Sequence, residues 1–241
     1  MIVTQDFYVG FREINKDLTI KNSTILANFV DVAGVHSASV GDVFGESPVR
    51  WLLTGYKVRV LKRPRHGEKV KVSTWATEIK NIKSSREFEV RSESGEILIQ
   101  ALSSWVSYNV ETRRPEKVRQ ELIDAYGVEP NKSNFVNEEI SRIDEPHDVE
   151  FRKEQIIDWK FIDLNEHLNN SFYMDIAEHS LTNFDLCCDK VDYNNFEVVF
   201  KREIKEGTKI ICQVRTDDSK TEVWFVDEET DVLHAKVTYF R

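Results

Sequence analysis

The feature that most constrains the fold of this chain is an internal repeat. The segment YKVRVLKRPRHGEKVKV, which begins at Tyr56, aligns with FEVVFKREIKEGTKIIC, which begins at Phe196, at a shift of 140 residues. Both segments alternate apolar and polar residues, pass through a charged turn at Gly67 or Gly207, and then alternate again. This pattern is typical of two strands joined by a tight turn. The sequence therefore predicts one structural unit that occurs twice.

Segments of the same kind flank both copies in the same order. Apolar residues recur at helical spacing before the first copy, over residues 24–33, and before the second copy, over residues 170–178. The apolar stripe of the first helix is Ile25, Leu26, Phe29, Val30 and Ala33. Strand-like segments follow the copies at 86–91, 96–102 and 105–108, and at 222–226 and 232–239. Each half thus reads as a strand, a helix and about four strands, which the short turns make antiparallel.

These elements predict an α+β fold in which two antiparallel sheets each wrap around one long helix. Edge-to-edge pairing would remove two exposed edges, so we expect the sheets to join into one continuous sheet. We divide the chain into a first half at 1–112, a linker at 113–146 and a second half at 147–241. The linker is polar, contains three prolines and has one short helical stretch at 116–126.

Composition and charge exclude several classes of protein. Hydrophobic residues make up 40% and charged residues 31% of the chain, which excludes disordered, collagen-like and membrane proteins. The net charge of -9 argues against a nucleic-acid partner. The N-terminal residues form neither a signal peptide nor a spanning helix, so we expect a soluble cytoplasmic protein with no membrane partner. Cys187, Cys188 and Cys212 have no metal-type spacing, and the sequence predicts neither a metal nor a cofactor.

A basic island interrupts this acidic chain between Lys57 and Lys71. It contains seven cations and only one acid, Glu68. Such an island suggests attraction for one anionic partner. Taken alone, however, the cluster is better explained by a solvated strand face with a loop.

The second half carries a group of polar residues directly before its helix. Asp163, Asn165 and His167 occupy alternate positions, so their side chains point the same way if the segment is extended. Asn169 or Asn170 is suited to cap the helix that follows. The first half has TIKNST at 19–24 in the corresponding place, without a histidine. Helix capping is the simpler explanation of such a loop, but the asymmetry is typical of a single active site on a duplicated scaffold.

This group resembles the active-site motif of the acyl-[acyl-carrier-protein] thioesterase family of plants and bacteria. The residues of the resemblance are Asp163, Asn165, His167, Asn169, Asn170 and Tyr173. The string FKREI, from Phe200 to Ile204, resembles the second active-site segment of that family. The resemblance implies a tandem hot-dog fold, which agrees with the repeat, and an enzyme that releases fatty acids from their carrier.

The resemblance also implies roles for individual residues. Plant members have a cysteine at the position of Ile204, so a thiol nucleophile is excluded there. Glu203 is then the general base that activates a water molecule. Asn165 orients the water or the carbonyl group, His167 forms hydrogen bonds at the same place, and Asp163 positions Asn165.

Substrate and carrier contacts follow from the resemblance as well. The first half is expected to hold the acyl chain in an apolar tunnel, and the second to carry out catalysis. The predicted substrate-binding residues are Ile25, Phe29, Val32, Trp51, Leu52, Leu53, Asn169 and Asn170. The predicted contacts to an acyl carrier protein and its phosphopantetheine are Arg59, Lys62, Arg63, Arg65, Lys69, Lys201 and Arg202.

Two alternatives stay open from the sequence. One is an acyl-CoA thioesterase on the same fold, in which the basic island would bind the adenosine phosphates. The other is a non-catalytic acyl-binding hot-dog regulator. The chain already contains two halves of the same kind, so both a monomer and a homodimer are compatible with it.

Overall fold

The computed structural model describes residues 1–182 and 191–241. These residues form two compact units, Met1–Ile140 and Ser141–Arg241. Cys187 and Cys188 lie outside the described residues, so the interpretation of these cysteines as small apolar side chains stays a prediction. Within the described ranges, no helix combines the length and the apolar character needed to cross a membrane.

The first unit combines one antiparallel sheet with a long helix. Its elements are β1 (Val3–Tyr8), α1 (Asn22–Ser39), β2 (Val49–Val60), β3 (Lys69–Lys80), β4 (Lys83–Ser92), β5 (Ile97–Asn109), β6 (Arg114–Pro115) and α2 (Gln120–Tyr126). The strands lie in the order β1-β3-β4-β5-β2, and β6 pairs with β5. The single strand β5 replaces the two separate strands predicted at 96–102 and 105–108.

Helix α1 buries one face among the side chains of this unit. Phe29 and Val32 are fully buried, and the ring of Phe29 stacks on Phe88 of β4 with 4.5 Å between centroids. Each side chain of this size contributes about 1.5–3 kcal/mol when it leaves water. Val30 was predicted in the same stripe, and this is wrong, because its side chain is 40% exposed. One residue beyond Phe29, it is rotated by roughly 100° around the helix.

The second unit repeats the architecture of the first. Its elements are β7 (Phe151–Ile156), α3 (Phe172–Thr182), β8 (Asn195–Phe200), β9 (Lys209–Thr216), β10 (Lys220–Asp227) and β11 (Leu233–Phe240). The strands lie in the order β7-β9-β10-β11-β8, which reproduces the order of the first unit strand by strand. The prediction of a tandem hot-dog, with a sheet and a principal helix in each half, is confirmed.

The segment predicted as a linker packs closely against both sheets. Tyr126, at the end of α2, is 1% exposed within the core of the first unit. The indole Nε1 of Trp75 donates to the main-chain oxygen of Lys132 (2.7 Å). In the second unit, Nε1 of Trp224 donates to the main-chain oxygen of Asp144 (3.0 Å). Residues 113–140 thus belong to the first unit and residues 141–146 to the second.

Candidate active site

The polar group before α3 lies on a tight turn. The amide of Asp163 donates to the carbonyl oxygen of His167 (2.9 Å), and Glu166 adopts a left-handed conformation with φ of 64°. The extended conformation considered from the sequence is therefore wrong. The turn brings the polar residues together in another way, because Asp163 Oδ1 accepts a hydrogen bond from the amide of Asn165 (2.8 Å).

A second contact joins this turn to the segment after β8. The amide of Leu168 donates to the carbonyl oxygen of Ile204 (2.7 Å). This bond places His167 beside Glu203, with 3.2 Å between Nε2 and Oε2. At this distance the imidazole and the carboxylate form an ion pair when the ring is protonated. The side chains of His167 and Glu203 are 31% and 56% exposed, so water reaches both groups.

The position of the plant cysteine is part of the protein interior here. The side chain of Ile204 is fully buried. The one cysteine within the described residues, Cys212, is also fully buried, and burial raises the pKa of its thiol to about 12. A thiol with so high a pKa stays protonated at neutral pH and is a poor nucleophile.

The start of α3 is fixed by Asn169. Its Oδ1 accepts hydrogen bonds from the amide (2.9 Å) and the hydroxyl (2.8 Å) of Ser171. One turn further on, Tyr173 is 2% exposed, and its ring packs edge-on against Phe200 with 5.1 Å between centroids. Burial raises the pKa of the Tyr173 hydroxyl, and the nearby carboxylates of the site raise it further. No role is predicted for Tyr173 from the sequence, although it is part of the motif and lies on the buried face of the helix.

The first unit has the same turn without the histidine and the acid that meet in the second unit. The amide of Asn15 donates to the carbonyl oxygen of Thr19 (2.7 Å), and the amide of Ile20 donates to that of Pro64 (2.9 Å). Thr19 and Arg63 thus stand where the second unit has His167 and Glu203. The comparison of 19–24 with the motif was therefore out of register, but the two halves do differ, because Thr19 and Arg63 are neither a histidine nor an acid.

Comparison with known proteins identifies the family. The family profile described as the acyl-ACP thioesterase N-terminal domain matches residues 2–126, and the C-terminal domain profile matches residues 144–239. The chain belongs to the acyl-ACP thioesterase family. The matched regions contain the two turns and the segment that carries Glu203.

Individual members of the family agree with this assignment. The acyl-[acyl-carrier-protein] hydrolase FATB3 of Cuphea viscosissima, named as chloroplastic, is 30% identical over 184 residues, which cover 70% of this chain and 44% of that protein. The chain thus spans less than half the length of this relative. Two solved thioesterases share the fold. The 12:0-ACP thioesterase from Umbellularia californica gives a TM-score of 0.82 at 19% identity, covering 99% of this chain and 96% of that one. An acyl-ACP thioesterase from Bacteroides thetaiotaomicron gives 0.78 at 18% identity, covering 99% and 97%.

Several cations of the predicted carrier site in this family member already have partners. Arg59 Nη2 forms an ion pair with Glu138 (2.5 Å), and Lys62 Nζ forms one with Glu96 (2.8 Å). Lys201 Nζ likewise pairs with Glu145 (2.9 Å).

The other predicted carrier contacts divide into two groups. Arg63 is directed inwards, where Nη1 donates to the carbonyl oxygen of Ile20 (2.8 Å) and to Asn22 Oδ1 (2.9 Å). Arg65, Lys69 and Arg202 form no ion pair with any described residue. These three cations are therefore the ones with charge to offer to a partner.

The predicted acyl-binding residues differ in their burial. Ile25 and Phe29 are 1% and 0% exposed and lie in the core of the first unit, and Leu53 is 9% exposed. Trp51 is half-buried, with Nε1 donating to Asp42 Oδ2 (3.0 Å), whereas Leu52 is 43% exposed. Among the residues of 1–182 and 191–241, no cluster of three or more His, Cys, Asp or Glu side chains is arranged to hold a metal ion.

Proposed function

We propose that the protein hydrolyses fatty acyl-[acyl-carrier-protein] to a free fatty acid and the holo carrier, with water as the nucleophile. The observation that carries the proposal is the contact between His167 and Glu203, 3.2 Å apart, in a chain that belongs to this family. Both groups are open to water, and the buried Ile204 stands in the place of a thiol.

The proposed reaction begins with removal of a proton from water by Glu203. The hydroxide attacks the thioester carbon and forms a tetrahedral intermediate, whose collapse breaks the carbon–sulfur bond. The leaving thiolate takes up a proton, and with a reference pKa of about 8.5 for a thiol it needs no strong acid to leave. General-base catalysis of this kind contributes about 10²–10⁴-fold in rate.

The neighbouring residues have supporting roles in this scheme. His167, with Nε2 3.2 Å from Oε2 of Glu203, is placed to hold the carboxylate in one orientation. Asn165 is exposed on the turn, where its amide group is able to orient the water or the carbonyl oxygen. Asp163 accepts from the Asn165 main chain and so fixes the position of that residue.

The substrate assignments belong to the same proposal. Binding of the acyl chain by the first unit, with Ile25 and Phe29 among its contacts, is supported by the apolar core between α1 and the sheet. Binding of the carrier by Arg65, Lys69 and Arg202 is supported by the lack of competing ion pairs for these cations within the described residues.

The test is hydrolysis of matched acyl-carrier-protein and acyl-CoA thioesters by the wild-type protein, Glu203→Gln and Glu206→Gln. Glu206 is an exposed acid three residues further along, and it serves as the control. We expect selective turnover of carrier thioesters, a loss of about 10²–10⁴ in kcat for Glu203→Gln, and no comparable loss for the control. Faster turnover of CoA esters would favour the acyl-CoA thioesterase. Absence of wild-type turnover on both series would favour the non-catalytic regulator.

A further inference from the structure

The interior of the first unit contains a group of polar side chains that the catalytic scheme does not use. Arg86 of β4 is 6% exposed, and its Nη1 donates to His36 Nδ1 (2.9 Å) and to Thr74 Oγ1 (3.1 Å). No carboxylate of the described residues lies within ion-pair distance of this guanidinium group. A buried cation without such a partner is strongly destabilising. A ligand that supplies an acceptor for the remaining donors of Arg86 would therefore gain much binding free energy.

Two atoms beside Arg86 also lack a hydrogen-bond partner among the described residues. They are the hydroxyl of Tyr56 and Nε2 of His36, both on fully buried side chains. Tyr56 and Arg86 are close enough that the charge of each affects the pKa of the other. Because His36 Nδ1 accepts from Arg86, the ring proton belongs on Nε2. The Tyr126 main chain is close enough to raise the pKa of His36, but it does not meet the geometry of a hydrogen bond to Nε2.

An acid whose charge acts on Arg86, Asp42, is connected to it through an aromatic ring. Asp42 Oδ2 accepts from the Tyr126 hydroxyl (2.6 Å) and from Trp51 Nε1 (3.0 Å). The centre of the Tyr126 ring lies 5.7 Å from the guanidinium carbon of Arg86. Asp42 therefore reduces the electrostatic cost of burying Arg86 from a distance, while the hydrogen-bonding capacity of the guanidinium group stays largely unused.

These polar groups continue the face on which the proposed acyl contacts lie. Arg86 and Phe88 occupy alternate positions of β4 and so share one face of the sheet. Phe29, which stacks on Phe88, and His36 are seven residues apart on α1, close to two helical turns, and so share one face of the helix. Along this direction the interior changes from aromatic, at Phe29 and Phe88, to hydrogen-bonding, at His36 and Arg86.

We infer that Arg86, with Tyr56 and His36, receives an oxygen-bearing group on the acyl chain at a position remote from the thioester. A carboxylate fits best, because it supplies both the missing counter-charge and two acceptor oxygens for a guanidinium group. The protein thus selects ω-carboxyacyl chains over unsubstituted chains of the same length. This inference rests on the proposed function and on binding of the acyl chain by the first unit.

The selectivity has a direct physical cause. An unsubstituted chain that reaches Arg86 leaves the donors of the cluster without acceptors, whereas a carboxylate satisfies them. Sites built around buried hydrogen-bonding groups reject analogues that lack the matching group far more strongly than apolar sites reject an extra methylene. We expect a preference of at least about tenfold in kcat/KM, which is modest on that scale.

The experiment compares carrier thioesters of ω-carboxyacyl and unsubstituted chains, matched in length, on four proteins. These are the wild type, Arg86→Met, Tyr56→Phe and Lys83→Met, which removes an exposed cation from the same strand as a control. We expect Arg86→Met to lose the preference, Tyr56→Phe to weaken it several-fold, and Lys83→Met to retain it. Thermal unfolding of each variant verifies that it is folded, and Tyr56→Phe keeps the test informative if Arg86→Met does not fold.

Calorimetric binding of two methyl esters separates this inference from the proposed function. The monomethyl ester of a dicarboxylic acid carries a free carboxylate at the far end of its chain, and the methyl ester of the matched fatty acid carries none. Binding of the carboxylate-bearing ester by the wild type but not by Arg86→Met supports the site even if no thioester is hydrolysed. An unchanged preference in both folded variants, or equal binding of the two esters by the wild type, would overturn the inference.

Discussion

Ile204 stands where the resemblance to the family implies a cysteine in plant members. Its carbonyl oxygen accepts from the amide of Leu168, and its side chain is fully buried. The residue therefore ties the catalytic turn to the segment after β8 and fills part of the core. The backbone at this position holds the turn in place, and its side chain carries no reactive group.

This arrangement predicts that the Ile204→Cys variant folds and that its new thiol is unreactive. We expect a loss of about 1–2 kcal/mol in the free energy of unfolding, because the smaller side chain leaves a cavity. Thioester hydrolysis should stay dependent on Glu203 and insensitive to iodoacetamide. The wild type treated in parallel controls for Cys187 and Cys188, which both proteins contain. Activity that iodoacetamide abolishes in the variant alone would contradict the prediction.

The proximity of His167 and Glu203 could be predicted from the sequence, but the conformation of the turn could not. The repeat aligns Arg63 with Glu203, and the resemblance connects Glu203 with His167. The left-handed conformation at Glu166 could not be predicted from the sequence, because the residues that favour it most are glycine and asparagine. The alternating polar residues therefore suggest an extended segment, although a turn brings the same residues together.

At the scale of elements, the start of α3 determines where the catalytic turn ends. Asn169 Oδ1 accepts two hydrogen bonds from Ser171, and the Asn169 carbonyl oxygen accepts from the amide of Phe172 (3.0 Å). The residue after His167 and Leu168 is thus fixed to the first turn of the helix. Loss of this cap would loosen both the helix and the turn.

We predict that Asn169→Ala lowers the free energy of unfolding by about 1 kcal/mol, the usual effect of removing such a cap. Ser171→Ala removes only the hydroxyl hydrogen bond and leaves the amide bond in place, so its effect should be smaller. Denaturant unfolding of both variants gives the comparison. Equal effects of the two substitutions would show that the Asn169 side chain does not act through the Ser171 amide.

Polar residues inside regular elements explain the boundaries that the sequence missed. Ser103 interrupts the apolar pattern of β5, so the sequence suggested two strands. The residue is fully buried, and its hydroxyl donates to the main-chain oxygen of Arg86 (3.1 Å). Helix α1 likewise continues past Ala33, with Ser37 Oγ donating to the Gly34 carbonyl oxygen (3.1 Å). Satisfied polar groups of this kind look like breaks in a hydrophobic pattern.

At the scale of the whole molecule, duplication was the most informative sequence feature. It predicted the order of the elements along the chain and their antiparallel character in both units. It gave no information on the segment between the halves, because the contacts of Trp75 and Trp224 with that segment join residues far apart in the chain. Local composition described the segment as a linker, and long-range hydrogen bonds make it part of both units.

The acid sensitivity of the whole chain is expected to depend on His36. Its side chain is fully buried, and burial, followed by the charge of Arg86, lowers the pKa of the imidazole to about 4. The unfolded chain takes up this proton near the ordinary value of about 6.5, which the folded chain does not. The free energy of unfolding should therefore fall by up to about 3 kcal/mol as the pH decreases from about 6.5 to about 4.

His36→Asn keeps an acceptor for Arg86 but has no titrating ring. Denaturant unfolding at about pH 7 and about pH 4.5 should show a shallower decline for this variant than for the wild type. Parallel declines would assign the acid sensitivity to other groups.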